Sequence, residues 1–317
     1  MPNGVLYSGR PARRLAGLIA ERFDLIDPDG QTSPDKLTAE QRAEVVAWVK
    51  GGSTRIDGAV MDRFPNLKLI ACYGSGYDGV DVAAAHARGI TVCNSIGANA
   101  APVADLAIAL MLAVMRDVAR LDAFVKAGKW PTPERAKVGS NYGMTGAKVG
   151  IYGIGHIGEK IAARAAAFEA EVGYFSRSKR DHLPYGYHAS LESLADWCDV
   201  LHVAVRAGDD TRHVINADIL RRLGPDGFLI NISRGSVVDE AALLEALRNK
   251  TIAGAGLDVM QNEPNVNPAF FGLPNIVINP HQAGHTFQGH AAMQDRVMEN
   301  LSAFFAGRPV PYVVKPD

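Results

Sequence analysis

Three residues of unlike chemistry each stand just beyond a short apolar run. Arg234 follows "FLINIS", Glu263 lies in the loop after "IAGAGLDV", and His281 closes "NIVINP". Such runs read as strands of an open α/β sheet, whose ligands bind outside the carboxyl ends of the strands. One cation, one carboxylate and one imidazole are therefore expected at one edge. Arginine clamps a substrate carboxylate with two hydrogen bonds and polarises a neighbouring carbonyl. Histidine gives and takes a proton near neutral pH. A glutamate beside it orients the ring and favours its protonated form. A nicotinamide cofactor supplies hydride but no proton, so these parts together suit reduction of a 2-oxo acid to a 2-hydroxy acid, with His281 as proton donor. Singly, each residue is more often structural; their joint placement points to chemistry. His285 and His290 are nearby rivals for the base.

The cofactor half of that chemistry has its own signal. Gly153-Ile154-Gly155-His156-Ile157-Gly158 is GxGxxG, and it follows the strand-like "KVGIY" and opens the helical "EKIAARAAAF". In that context the first glycine permits the tight turn, the second lets a pyrophosphate approach the backbone, and the third lets the helix pack on the strand. The helix start offers unpaired N–H groups to the phosphates. The next strand, "EVGYFS", ends at Ser176, where an NAD enzyme usually carries an acidic residue for the adenosine ribose. Here the chain reads Ser176-Arg177-Ser178-Lys179-Arg180, with no carboxylate between Val172 and Arg180. A carboxylate would repel a 2′-phosphate, whereas arginine binds it bidentately. Arg177 is the main candidate, with hydroxyls from Ser176 and Ser178 and charge from Lys179. The expected cofactor is NADP(H).

Alternating apolar runs and helical patterns must position these groups. Strands are expected at "VLYS", "FDLI", "LKLIAC" and "ITVC", with helices at Ala39–Lys50 and Val82–Arg88, forming a smaller α/β unit. A long helix, about 26 residues, is expected over Asn99–Gly128, with Pro102 in its first turn and Gly128 at its stop. Six strands follow from Lys148, which matches a doubly wound dinucleotide fold. "TFQGHAAMQDRVMENLSAFFAG" reads as a terminal helix. The fold class is α/β, with two Rossmann-like domains: a doubly wound parallel-sheet cofactor domain over 99–285, and a smaller flavodoxin-like substrate domain from 1–98 and 286–317.

Bulk composition limits the alternatives. In 317 residues, 33 basic and 34 acidic side chains leave a net charge of -1, which argues against a nucleic-acid-binding surface. The apolar run from Ala104 to Val114 spans only about eleven residues, too short to cross a bilayer. Three cysteines, Cys72, Cys93 and Cys198, form no CxxC pair, so neither a disulfide framework nor a metal site is expected, and a cytoplasmic location is.

The motifs "INISRGSVVDEAALLEAL", "GAGLDVMQNEP" and "NPHQAGHT" resemble the arginine, glutamate and histidine segments of the D-isomer-specific 2-hydroxyacid dehydrogenase family. "NLKLIACYGSGYDGVD" is similar to its substrate loop, and "VADLAIALMLAVMR" to its interdomain helix. The resemblance runs from about Asn66 to Phe305 and implies Arg234, Glu263 and His281 as the catalytic trio. It implies that N–H groups around Ser75 and Gly76 meet the substrate carboxylate, joined by Arg234 and His281. Asp258 would contact the nicotinamide, and Val205, Arg206, Thr211, Ile232, His281 and Gly284 would complete the cofactor site. Homodimers would form through the cofactor domains, and the long helix suits an interface. The loop Val205–Thr211 departs from the family's usual proline-containing segment. The basic "SRSK" resembles the NADP-preferring glyoxylate/hydroxypyruvate reductase branch. An NAD-dependent dehydrogenase of another substrate and a dinucleotide-sensing binding protein are the rivals. Tyr73, Tyr77 and the loop Gly51–Thr54 are candidates to shape the substrate pocket, with a 2-oxo aldonate or phenylglyoxylate as possible larger substrates.

Overall fold

The computed structural model describes residues 4–9, 13–26, 34–52 and 54–315. Ser53, within the Gly51–Thr54 loop, lies outside the described residues. The chain divides into two compact units, residues 1–99 with 286–317 and residues 100–285.

The first unit alternates β1 (Gly4–Ser8), α1 (Arg13–Ala20), β2 (Asp24–Ile26), α2 (Ala39–Glu44), β3 (Val45–Lys50), α3 (Gly58–Met61), β4 (Leu69–Cys72), α4 (Val82–Ala87) and β5 (Thr91–Cys93). Its five strands are parallel and lie in the order 2-1-3-4-5, the flavodoxin-like arrangement. Strand alternation sorts the core onto two faces: Val5, Tyr7, Val49 and Leu69 on one, Leu6, Trp48 and Ile70 on the other. A Val, Leu or Ile fully buried in this way contributes about 1.5–3 kcal/mol.

The helix expected over Ala39–Lys50 is only half helix. Thr38 caps α2 and Gln41 reaches back to complete a capping box. From Val45 the chain becomes β3, the central strand, with five of its six residues buried. A strand buried on both faces carries no alternation in its sequence, so "VVAWVK" extends the preceding helical pattern by eye.

The second unit contains α5 (Ala100–Met115), α6 (Val118–Lys126), β6 (Lys148–Tyr152), α7 (His156–Ala167), β7 (Glu171–Phe175), β8 (Gly186–Tyr187), α8 (Leu191–Trp197), β9 (Val200–Val203), α9 (Ala217–Leu223), β10 (Phe228–Asn231), α10 (Glu240–Arg248), β11 (Gly254–Leu257) and β12 (Ile276–Ile278). The last helix, α11 (Phe287–Phe305), belongs to the first unit, where Val297 and Leu301 join the face of β1 and β4. The parallel sheet of the second unit runs β12-β11-β10-β9-β6-β7-β8. Counting from β6, this is the doubly wound order 3-2-1-4-5-6 with a seventh strand added beyond β11. The doubly wound fold expected from sequence is therefore present, with one strand more than the six expected. β8 has only two residues, too few to show any period.

The helix expected across Asn99–Gly128 is also two helices. Asp117 adopts φ 54°, a left-handed conformation that Asp tolerates better than most residues. Its carboxylate ion-pairs with Arg120. α5 carries nine buried residues, whereas α6 carries none. The break falls where the apolar run meets Arg116-Asp117 and the chain leaves the core.

Candidate active site

The switch point of the second sheet lies between β6 and β9, and the glycine loop begins immediately after β6. Gly153 has φ +98°, and a Cβ there would stand 2.7 Å from the Val205 nitrogen. A Cβ on Gly158 would stand 2.1 Å from the Gly153 oxygen. Gly155 differs: no protein atom lies within 4 Å of where its Cβ would be. The outer glycines are thus required by the protein's own packing, while the middle one keeps open space. Gly155 caps α7 without any side-chain hydrogen bond, so the helix start keeps its N–H groups for an anion. His156 is exposed and Ile157 half-buried on that first turn. These residues fit a dinucleotide pyrophosphate.

Beyond β7, Ser176 to Arg180 form a small built turn. Ser176 Oγ donates to Ser178 O at 2.7 Å, and the buried Tyr174 hydroxyl accepts from Arg180 N–H at 2.7 Å. Arg177 is exposed, and Lys179 pairs with Asp181 at 3.4 Å. Burial pushes the Tyr152 phenol up and the Asp210 charge pushes it further, while the Arg177 charge opposes both. Arg177 and Asp210 therefore both lie within electrostatic reach of the Tyr152 hydroxyl. In the neighbouring loop, Thr211 is buried; its hydroxyl accepts from Gly208 N–H at 2.8 Å and lies 3.1 Å from Arg206 O as donor. Thr211 thus staples its own loop. Val205 is half-buried, Ile232 buried and Arg206 exposed.

Arg234, Glu263 and His281 do come together. The His281 Nδ1 and Glu263 Oε2 atoms are 2.7 Å apart. The other glutamate oxygen accepts the Met260 N–H at 2.9 Å. Burial raises the Glu263 pKa, but the His281 hydrogen bond, the Met260 N–H and the charges of His281 and Arg234 outweigh it, and the carboxyl is held below its usual range. Glu263 thus selects His281 over His285 as its partner, and His290 is engaged elsewhere, with Tyr73.

The backbone explains how these residues meet. A Cβ on Gly235 would fall 2.0 Å from the Met260 carbonyl carbon, so only glycine lets the Arg234 turn pack on the Met260–Glu263 loop. Asn231 Nδ2 donates to Arg234 O at 3.0 Å, and Ser233 Oγ donates to Val205 O at 2.6 Å, which secures the same turn. His281 has φ +51°, a conformation that persists only when its surroundings enforce it. Asp258 does so. Its backbone oxygen accepts the His281 N–H at 2.8 Å, and its buried carboxylate accepts from Asn279 Nδ2 at 2.5 Å, Gln282 N–H at 2.8 Å and Ala283 N–H at 3.1 Å. Gly284 is buried at the end of this turn. Sequence reasoning named Asp258 as a cofactor contact and missed this structural duty, as it missed Asn231 and Ser233; buried polar residues just past strand ends were the available signal.

Within the first unit, the loop Gly74–Gly76 follows β4. Ser75 Oγ donates to Asn99 Oδ1 at 2.9 Å, and Asn94 Nδ2 donates to Ser75 O at 2.7 Å. Among the described residues no acceptor meets the N–H of Ser75 or Gly76. Tyr73 and Tyr77 flank this loop, both half-buried.

A family model for the D-isomer specific 2-hydroxyacid dehydrogenase, NAD binding domain, matches residues 108–283. The chain belongs to the D-isomer specific 2-hydroxyacid dehydrogenase family. It is 48% identical to a 2-ketogluconate reductase of Gluconobacter oxydans over 81% of this chain and 82% of that one. It is 36% identical to a glyoxylate/hydroxypyruvate reductase of Arabidopsis thaliana over 96% of each chain. Among solved structures it resembles the NADPH-dependent glyoxylate/hydroxypyruvate reductase of Sinorhizobium meliloti in complex with NADP and malonate. That match has a TM-score of 0.90 and 37% identity, and covers 99% of this chain and 97% of the other. Among the described residues no helix is long and apolar enough to cross a membrane, and no cluster of potential ligands could hold a metal ion.

Proposed function

We propose that the chain is an NADPH-dependent reductase of small 2-oxo acids such as glyoxylate and hydroxypyruvate. The observation that carries this reading is the His281–Glu263 contact beside Arg234, in the same unit as the glycine loop. In this reading the N–H groups of Gly155, His156, Ile157 and Gly158 hold the pyrophosphate. Arg177, supported by Ser176, Ser178, Lys179 and Arg206, holds the 2′-phosphate. Val205, Thr211, Ile232, Asp258 and Gly284 shape the remainder of the cofactor site. When bound, NADPH supplies the hydride. Arg234 clamps the substrate carboxylate, which leaves the 2-oxo group polarised, and in the first unit the N–H groups of Ser75 and Gly76 are proposed substrate-binding groups. His281 gives its proton to the oxygen of that group, and Glu263 holds the ring in place and balances its charge. Residues 286–317 and 1–98 then form the substrate domain, and 99–285 the cofactor domain.

The names of the relatives and the NADP in the Sinorhizobium structure support this reading. So does the absence of any carboxylate between Val172 and Arg180. A homodimer through the second unit is part of the proposal. It is supported by Val118, Val125 and Trp130, which are 53%, 48% and 57% exposed along α6 and the turn after it. Three buried, free cysteines are in keeping with a cytoplasmic location. The test is the initial rate of NADPH and of NADH oxidation with glyoxylate and hydroxypyruvate. A clear preference for NADPH is expected; equal rates with both cofactors would remove the 2′-phosphate assignment, and no turnover of any 2-oxo acid would remove the whole reading.

A further inference from the structure

Two carboxylates hold the loop after β11. Glu263 accepts the Met260 N–H at 2.9 Å, and Glu240 accepts the next one, the Gln261 N–H, at 2.5 Å. Glu240 is the first residue of α10, where an acidic side chain ordinarily serves the helix start. Asp239 already fills that role, since its carboxylate accepts from the N–H groups of Ala241 and Ala242. Glu240 instead reaches a residue 21 positions along the chain. Burial raises the Glu240 pKa, the Gln261 N–H opposes this, and the Glu263 charge adds to the rise. The two carboxylates are therefore within electrostatic reach of one another. Like charges so placed repel, and here each is bonded to its own backbone N–H.

The side chain of Gln261 is held as well. One amide hydrogen goes to Val238 O at 2.9 Å and the other to His213 Nε2 at 2.9 Å. Val238 belongs to the turn that follows Arg234. The Met260 carbonyl and the Gln261 N–H form one planar peptide. The Gly235 backbone packs on the carbonyl carbon of that peptide, and Glu240 holds its N–H. Glu263 is bonded one N–H earlier, so the placement of this peptide sets where Oε2 meets His281 Nδ1. Glu240 and Gln261 also line an open cavity with Leu244, Arg248 and Asn265. Loss of the Glu240 carboxylate therefore admits solvent instead of leaving a buried void.

We propose that Glu240 is a positioning residue for the reaction: its carboxylate oxygen fixes the Gln261 N–H, and with it the loop from which Glu263 orients His281. The proposal rests on the reductase reading and adds a residue to it. Reach and charge are separated by substitution. Glu240→Gln keeps an oxygen at the same reach without the charge, whereas Glu240→Asp keeps the charge and is one methylene too short. The test measures kcat and KM with NADPH and glyoxylate, alongside NADPH binding by fluorescence. Glu240→Ala and Glu240→Asp should lower kcat about tenfold, with both KM values within twofold of wild type. Glu240→Gln should stay within about threefold of wild type. In a Glu263→Gln background, Glu240→Ala should cost less than about threefold, because the residue through which it acts is already impaired. An unchanged kcat in Glu240→Ala, a Gln variant as slow as the Ala variant, an equal loss in both backgrounds, or loss of NADPH binding would each overturn the proposal while leaving the reductase reading intact. A wild type that turns over no 2-oxo acid would overturn both.

Discussion

Replacing Glu263 by glutamine isolates the charge in the His281–Glu263 pair. The native carboxylate accepts at both oxygens, from the fixed Met260 N–H at 2.9 Å and at the His281 ring at 2.7 Å. Glutamine has one acceptor and one donor end. The Met260 N–H is rigid, so the amide oxygen stays there and the NH2 group faces Nδ1. A doubly protonated imidazole would then meet a donor in place of a negative acceptor. Hydrogen bonds to charged groups contribute about 1.5–3 kcal/mol. The side chains are 45% and 31% exposed, so solvent screening keeps the effect near the lower end. About 1.5 kcal/mol corresponds to roughly one pH unit, or tenfold in rate. The expected result is a reduction rate at neutral pH lowered about tenfold, chiefly in kcat. The assay is NADPH oxidation at saturating 2-oxo acid, with NADPH binding followed by fluorescence as a control for folding. A rate within twofold of wild type would refute the argument that the Glu263 charge supports proton transfer by the ring.

Arg177→Ala should lower kcat/KM for NADPH by about 10- to 100-fold, as expected for loss of charged hydrogen bonds, with much less effect on NADH; equal losses with both cofactors would count against a 2′-phosphate site. Gly235→Ala drives a methyl group into the Met260 backbone, and it should cost about 1–3 kcal/mol in thermal or denaturant unfolding and reduce turnover at least tenfold. His202, wholly buried in β9, has its pKa pushed down to about 3 by burial, and its Nδ1 has no partner. It is neutral in the folded chain and gains a proton on unfolding below its ordinary value of 6.5. Its effect on stability is therefore absent above about pH 6.5 and grows more unfavourable as pH falls towards 3, by at most about 1.4 kcal/mol per unit. His202→Met should flatten the acid limb of a plot of Tm against pH without loss of stability at pH 8; an unchanged slope would show that this histidine does not govern it. Finally, light scattering on a size-exclusion column should give twice the chain mass, and Val125→Glu should shift it towards the monomer.

Sequence alone determined the class of the protein because its signals are local. Each short apolar run, the glycine loop between a strand and a helix, and the missing carboxylate after the next strand is written in a few consecutive residues. Their physical causes, strand burial and close backbone approach, act over the same short range. The strand ends also foretold that Arg234, Glu263 and His281 share one edge, because a parallel sheet aligns all its carboxyl termini. What failed locally was "VVAWVK", where burial on both faces erases periodicity, and the helix through Asp117, where a continuous pattern hid a left-handed residue. Only tertiary structure decided which groups pair. Nothing in the chain near Glu263 distinguishes His281 from His285; the choice follows from Gly235 admitting the Met260 backbone and from Asp258 fixing the His281 turn across the sheet edge. The same holds for Tyr73 and His290, which are 217 residues apart and meet because α11 returns to the face of β4. Such contacts depend on side-chain geometry summed over distant segments, and no window of sequence contains them.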